Sequence, residues 1–235
     1  MYLKKTKLKP HLKKCWCIPK AQNGAFVACM ENILELYGLP HNPDIPVVCF
    51  DEKPYQLLSD IHESLPMKQG SAAREDYSYK REGTCAIFVF TQPLRGWRRA
   101  EAHMRRTKID FALQVEKLLL EDFPHVEKVR LVMDNLNTHT TGSLYEAFPA
   151  HHAMALAKRL EIYYTPKHGS WLNIAEIEIS VMALQCLKRR IPNISLLNHY
   201  LSAWADDRNL SCPSVGWHFS VADDRDKLQY LYPLL

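Results

Sequence analysis

Hydrophobic and polar positions follow two different rhythms along this chain. Between Ala21 and Tyr37 the apolar residues Phe26, Val27, Met30, Ile33, Leu34 and Tyr37 recur at i, i+3/i+4 and i+7, one stripe of an amphipathic helix. Gly38 ends that pattern, and Pro40, Pro43 and Pro46 stiffen the linker behind it. Short apolar runs then take over. Val47–Phe50, Thr84–Phe90, Val129–Met133 and Glu161–Tyr164 are rich in β-branched or aromatic residues and stop at polar or turn residues, which predicts strands. The run at Thr84–Phe90 is nearly continuous, as expected of a strand buried on both faces.

Residues 54–59 read as a further extended segment, 60–82 as a charged loop or hairpin, and 92–99 as a turn. Helical spacing returns over 105–122, with Ile109, Leu113, Val115, Leu118 and Leu119 expected inward. Short helices are expected near 142–148 and 150–160. Longer ones are expected over 172–189, with Ile174, Ile177, Val181, Leu184 and Leu187 on one stripe, and over 195–207, before a tail from 215. Strands followed by strand–helix alternation predict a three-layer α/β domain over residues 46–235. Residues 1–45 read as a basic arm, the amphipathic helix and the proline-rich linker.

Two of the predicted strands end at an acid, Asp51 and Asp134, and a third acid, Glu176, opens a helix. In open α/β sheets ligands bind beyond the carboxyl ends of the strands, so acids there face a site. Three carboxylates delivered this way suggest a magnesium site for phosphodiester chemistry. Two Mg²⁺ ions about 3.5–4 Å apart can activate the nucleophile and brace the leaving oxygen, and such hard ions need few carboxylates each. Taken singly, an Asp at a strand end is more often a cap or turn residue, and an acid on a helix is more often solvated.

The neighbours divide in the same way. Glu52 points away from Asp51 along a strand and reads as structural. Asn135 and His139 read as orienting Asp134 or touching phosphate, against a turn or capping role. Lys167 and His168 lie in a Pro–Gly loop that should border the site, with Lys167 favoured for phosphate contact. Trp171 reads as stacking on an unpaired base or as packing beneath that loop. Glu178 lies about 200° around the helix from Glu176 and should not share its ions. Arg98, Arg99, Arg105 and Arg106 form a basic cluster that either tracks a DNA backbone or is a solvated face.

Composition narrows the partner. Residues 1–20 carry seven lysines and no acid, and since the chain of 235 residues totals +4, the other 215 sum to −3. A basic arm before a near-neutral body suits a polyanion, though a solvated terminus has the same composition. Seven scattered cysteines favour reduced thiols over a disulfide framework; the Cys15–Cys17 pair lacks a second pair at zinc spacing. No apolar run approaches the roughly 20 residues of a membrane span, and no signal peptide opens the chain, so a cytoplasmic location is expected. A small-molecule α/β hydrolase is disfavoured, because no G-x-S-x-G elbow or phosphate-binding glycine loop is present.

Three segments carry a family resemblance: Val48–Lys53, Leu131–His139 and Tyr164–Glu176, the last containing an Asn-x-x-Glu box from Asn173 to Glu176. The chain resembles DDE-superfamily endonucleases, specifically insertion-sequence transposases related to the mariner group. The resemblance implies a ribonuclease H-like fold with Asp51, Asp134 and Glu176 as the metal-binding triad. It also implies Mg²⁺, with Mn²⁺ substituting, and double-stranded DNA as partner, both transposon ends and target. A homodimer during reaction is implied too, and no small-molecule cofactor. Such transposases carry a helix-turn-helix region ahead of the catalytic domain, for which this chain has no room. A catalytically silent truncated copy acting as a DNA-binding or dimerisation module is therefore the alternative.

Overall fold

The computed structural model describes residues 23–62, 65–72, 74, 76–211 and 214–233. The lysine-rich arm and the Cys15–Cys17 pair lie outside the described residues. Five strands form one mixed sheet in the order β3-β2-β1-β4-β5. They are β1 (Val47–Asp60), β2 (Tyr79–Gln92), β3 (Trp97–His103), β4 (Val129–Met133) and β5 (Leu160–Tyr164). β1 pairs antiparallel with β2, and β2 with β3, while β4 lies parallel to both β1 and β5.

β1 and β4 share only three register pairs, Val47 with Arg130, Val48 with Leu131 and Cys49 with Val132. Continuing that register by two residues brings Asp51 level with Asp134. The sheet therefore sets the two acids side by side where the strands part.

Helices cover both faces. Over Val48, Phe50, Phe88, Phe90, Leu131 and Met133 lie α2 (Lys108–Lys117), α3 (Gly142–Ala147) and α4 (Ala150–Lys158). The other face carries α1 (Gly24–Gly38) over Cys49 and Val132. Beside it, α5 (Ala175–Gln185) and α6 (Ile194–Ser211) cover Leu57, Ile87 and Val89. Burial on both sides explains why residues 85–92 carry no polar alternation. A last helix, α7 (Val221–Lys227), and the turn after it dock on α1, where Glu31 accepts hydrogen bonds from Arg225 and Tyr232. Among the described residues no helix is long and apolar enough to cross a membrane.

The structure corrects the sequence reading at four places. β1 is a single strand of 14 residues with a bulge between Leu57 and Leu58, so the extended segment at 54–59 belongs to it. Residues 97–99, expected in a turn, begin β3, whose alternation is masked because a core position is held by Arg98. The outer edge of β3 is closed by side-chain amides from α6: Asn209 pairs with the backbone N–H and C=O of Arg98, and Asn198 with those of Ala102.

Helix α2 turns Phe111, Ala112 and Val115 inward and leaves Ile109 and Leu113 exposed, because Phe111 joins the aromatic cluster around Phe50. Helix α5 likewise buries Ala175, Glu178 and Met182 rather than Ile177 and Leu184. Its inward face is chosen by a charge: Glu178 pairs with Arg98 at 2.9 Å and with Arg208 at 2.8 Å.

Candidate active site

Asp51, Asp134 and Glu176 come from three elements that the fold ties together beneath them. Asn173 is the central tie. Its Nδ2 donates to the carbonyl of Phe50 at 2.8 Å, and its Oδ1 accepts from the Ala175 N–H at 3.1 Å. One buried side chain thus joins the residue before Asp51 to the residue before Glu176. Tyr37 of α1 supports the same corner, donating its hydroxyl to the carbonyl of Leu172 at 2.7 Å. On the other flank, the Thr165 N–H donates to the carbonyl of Met133, holding the loop after β5 against the root of Asp134.

The carboxylates sense one another. Burial raises the Asp51 pKa most, against a 2.7 Å hydrogen bond from the Glu52 N–H that lowers it. The charges of Asp134 and Glu176 raise it further and that of His139 lowers it, leaving the carboxyl at about 6. Asp134 and Glu176 therefore lie within electrostatic reach of Asp51. Among the described residues, however, no three His, Cys, Asp or Glu side chains are gathered closely enough to hold one metal ion.

His139 is placed unlike its neighbours. It is fully buried, with Phe50 edge-on and Phe111 tilted, each with ring centroids 5.0 Å away. Its Nδ1 donates to Asp134 at 2.5 Å and its Nε2 to Glu52 at 3.1 Å. Burial alone would lower its pKa, but the hydrogen bonds and charges of Asp134 and Glu52 outweigh that and push it up to about 9. The ring is therefore an imidazolium at neutral pH and donates from both nitrogens. Of its two expected roles, the ring contacts Asp134, while a phosphate contact finds no exposed surface; Glu52, expected to be structural, lies in the same buried cluster.

The other expected DNA-facing residues lie around the rim. Asn135, Lys167 and His168 are exposed. His168 has φ 67°, and it is the one non-glycine residue with positive φ among those described. Gly169 behind it is required by space, since a Cβ there would lie 2.6 Å from Pro166 Cγ. This tight turn pushes Lys167 and His168 outward. Trp171 packs edge-on against Phe219 with centroids 6.3 Å apart, its indole N–H buried without a hydrogen-bond partner among the described residues. The basic cluster does not form a single exposed surface: Arg98 is buried against Glu178, and Arg99 pairs with Asp122 at 2.6 Å.

The family model described as DDE superfamily endonuclease matches residues 46–198. Solved structures give the same fold. The chain superposes on the Mos1 mariner paired end complex with Mn with a TM-score of 0.55 and 13% identity, covering 97% of this chain and 68% of that one. The Mos1 strand transfer complex gives 0.54 at 13% identity, covering 86% and 62%. The paired end complex with Mg gives 0.53 at 12%, covering 99% and 70%. The likeness establishes a ribonuclease H-like fold, and the chain spans about two thirds of the Mos1 chains. No curated protein sequence matches.

Proposed function

The chain belongs to the DDE superfamily of endonucleases, and from that premise we propose that it is a transposase catalytic domain that cuts DNA at element ends and joins the freed 3′-hydroxyl to target DNA. In this reading residues 46–235 form the catalytic domain, and residues 1–45 are the arm, helix and linker leading into it. Asp51, Asp134 and Glu176 would hold divalent cations, Mg²⁺ or Mn²⁺. The single observation that carries the proposal is the register of β1 with β4, which runs on to Asp51 and Asp134, together with the Asn173 amide that ties the start of α5 to the same strand end. Asp51 feels the like charges of both Asp134 and Glu176, which the single charge of His139 opposes. Oxygen-only donors of this kind suit a hard divalent ion. Mutual repulsion works against closer approach of the acids, and cations would relieve it.

Bound there, the ions would activate the attacking hydroxyl and neutralise charge on the phosphate. The chain's own residues supply the frame: Asn173 fixes the spacing of the strand end and the helix start, while the Pro166–Gly169 turn offers Lys167 and His168 to a phosphate backbone. Asn135 and Trp171 complete the proposed DNA-facing set. The similar Mos1 structures are paired end complexes, one of them with the left transposon end, which supports double-stranded DNA ends as substrate and a homodimer during reaction.

A silent DNA-binding or dimerisation module is the second reading, favoured by the acids' not being gathered as they stand. Incubation with Mn²⁺ and pre-nicked end DNA separates the two. Asp134→Asn and Glu176→Gln should each lower cleavage by about a hundredfold or more at unchanged fold. Metal-dependent nicking retained in either variant would refute the assignment.

A further inference from the structure

Asp134 stands at the root of an exposed turn. β4 ends one residue before it, and Asn135, Leu136 and Asn137 behind it all reach solvent. An acid so placed would swing freely unless something held it. The turn is closed by the His139 N–H donating to the carbonyl of Leu136 at 3.0 Å. It is pinned from below where Tyr164 donates its hydroxyl to the carbonyl of His139 at 2.8 Å and Ser143 to that of Thr138 at 2.7 Å. These bonds fix the backbone and leave the carboxylate to the imidazole.

We propose that Glu52 and His139 are positioning residues: Glu52, on β1 beside Asp51, anchors the buried ring of His139, whose Nδ1 holds one oxygen of Asp134 and leaves the other facing the cation site. The chain Glu52–His139–Asp134 crosses from β1 to the turn after β4, so it also fixes Asp134 relative to Asp51. The 3.1 Å bond to Glu52 and the flanking Phe50 and Phe111 rings leave the imidazole one orientation. Only Asp134 Oδ1 is engaged by the ring. Outer partners of this kind orient a ligand that must meet a metal with defined geometry. The inference rests on the reading of Asp134 as a cation ligand.

Two substitutions at one position separate holding Asp134 from merely filling the core. In His139→Asn the side-chain amide reaches the place of Nδ1; in His139→Gln it reaches the place of Nε2. His139→Asn should keep Asp134 oriented and need nearly the same Mn²⁺ concentration for half-maximal cleavage. His139→Gln keeps the link to Glu52 and should raise that concentration by about tenfold or more, with cleavage recovering at saturating Mn²⁺. Equal effects in the two variants, or none in either, overturn the proposal.

Metal-free crystal structures of both variants supply a readout that needs no activity. Asp134 should turn away in His139→Gln and stay in place in His139→Asn; an unmoved carboxylate in both contradicts the proposal. If the wild-type protein shows no metal-dependent cleavage, the assignment of the triad fails, while the two crystal structures still decide whether His139 positions Asp134.

Discussion

Glu176 and Glu178 stand two residues apart on α5, and the difference between their surroundings separates two charge clusters, one buried and one partly open. Glu178 is 3% exposed and lies between two guanidinium groups, Arg98 at 2.9 Å and Arg208 at 2.8 Å. Glu176 faces Asp51, whose carboxyl feels both Glu176 and Asp134 as like charges. The first cluster carries its own counter-charge and can be sealed from water. The second carries acids in excess of the one imidazolium beside it, and stays partly open. A balanced cluster joins elements, here α5 and α6 to β3; an unbalanced one keeps a place for a cation that the chain does not supply.

If the clusters differ in this way, their acids should respond in opposite directions to neutralisation. The largest effect is expected at Glu178. Glu178→Gln takes the carboxylate from two arginines, one of them 1% exposed, and should cost about 3–5 kcal/mol in urea unfolding. A loss well below 1 kcal/mol would mean that the pair does not hold α5 to the sheet.

Asp51→Asn should do the reverse. It removes a half-buried carboxylate whose pKa is raised to about 6, and so should stabilise the metal-free protein by about 1–2 kcal/mol. Saturating Mn²⁺ should then raise the melting temperature of the wild type, by an amount equivalent to about 2.7 kcal/mol at a hundredfold excess over Kd. The variant should gain much less. Equal gains in both proteins would place the ion elsewhere.

The smallest effect is expected at Glu101 on β3, a more exposed acid with a counter-charge of its own. Glu101 is held below the usual carboxylate range, first by His103, against desolvation, and then by Lys117, which it meets at 2.6 Å. A depressed folded-state pKa contributes stability above the unfolded value near 4.5 and loses it as pH falls below that. Glu101→Gln should therefore cost about 0.5–1 kcal/mol at pH 7 and markedly less near pH 2. Denaturation midpoints at the two pH values check this; a cost that does not shrink on acidification would show that packing, not charge, is responsible.

The sequence made some of this contrast visible. Asp51 and Asp134 stood out because each closes an apolar run, and the expected strands at Val47–Phe50 and Val129–Met133 are neighbours in parallel register. Helix α1 was legible from its stripe, since Phe26, Met30, Ile33 and Leu34 all enter the core. The fold was harder to read where a charge took an apolar place. Arg98 disguised β3, and Glu178 turned the inward face of α5 away from Ile177 and Leu184. Both errors have one cause: hydrophobic periodicity counts a charged residue as outward, and a partner far along the chain can reverse that. His139 belongs to the same class, because its burial depends on Glu52, 87 residues away. The spacing of Asn173 and Glu176 marked a motif but gave no sign that the Asn173 amide bonds the carbonyl of Phe50.

The most direct test of a cation site among Asp51, Asp134 and Glu176 is anomalous diffraction from a crystal soaked in Mn²⁺. One or two manganese peaks bounded by these three carboxylates, with the acids drawn closer than in the metal-free protein, are the expected result. Saturating Mn²⁺ that leaves the space between them empty, or binds only at other surfaces, would contradict it.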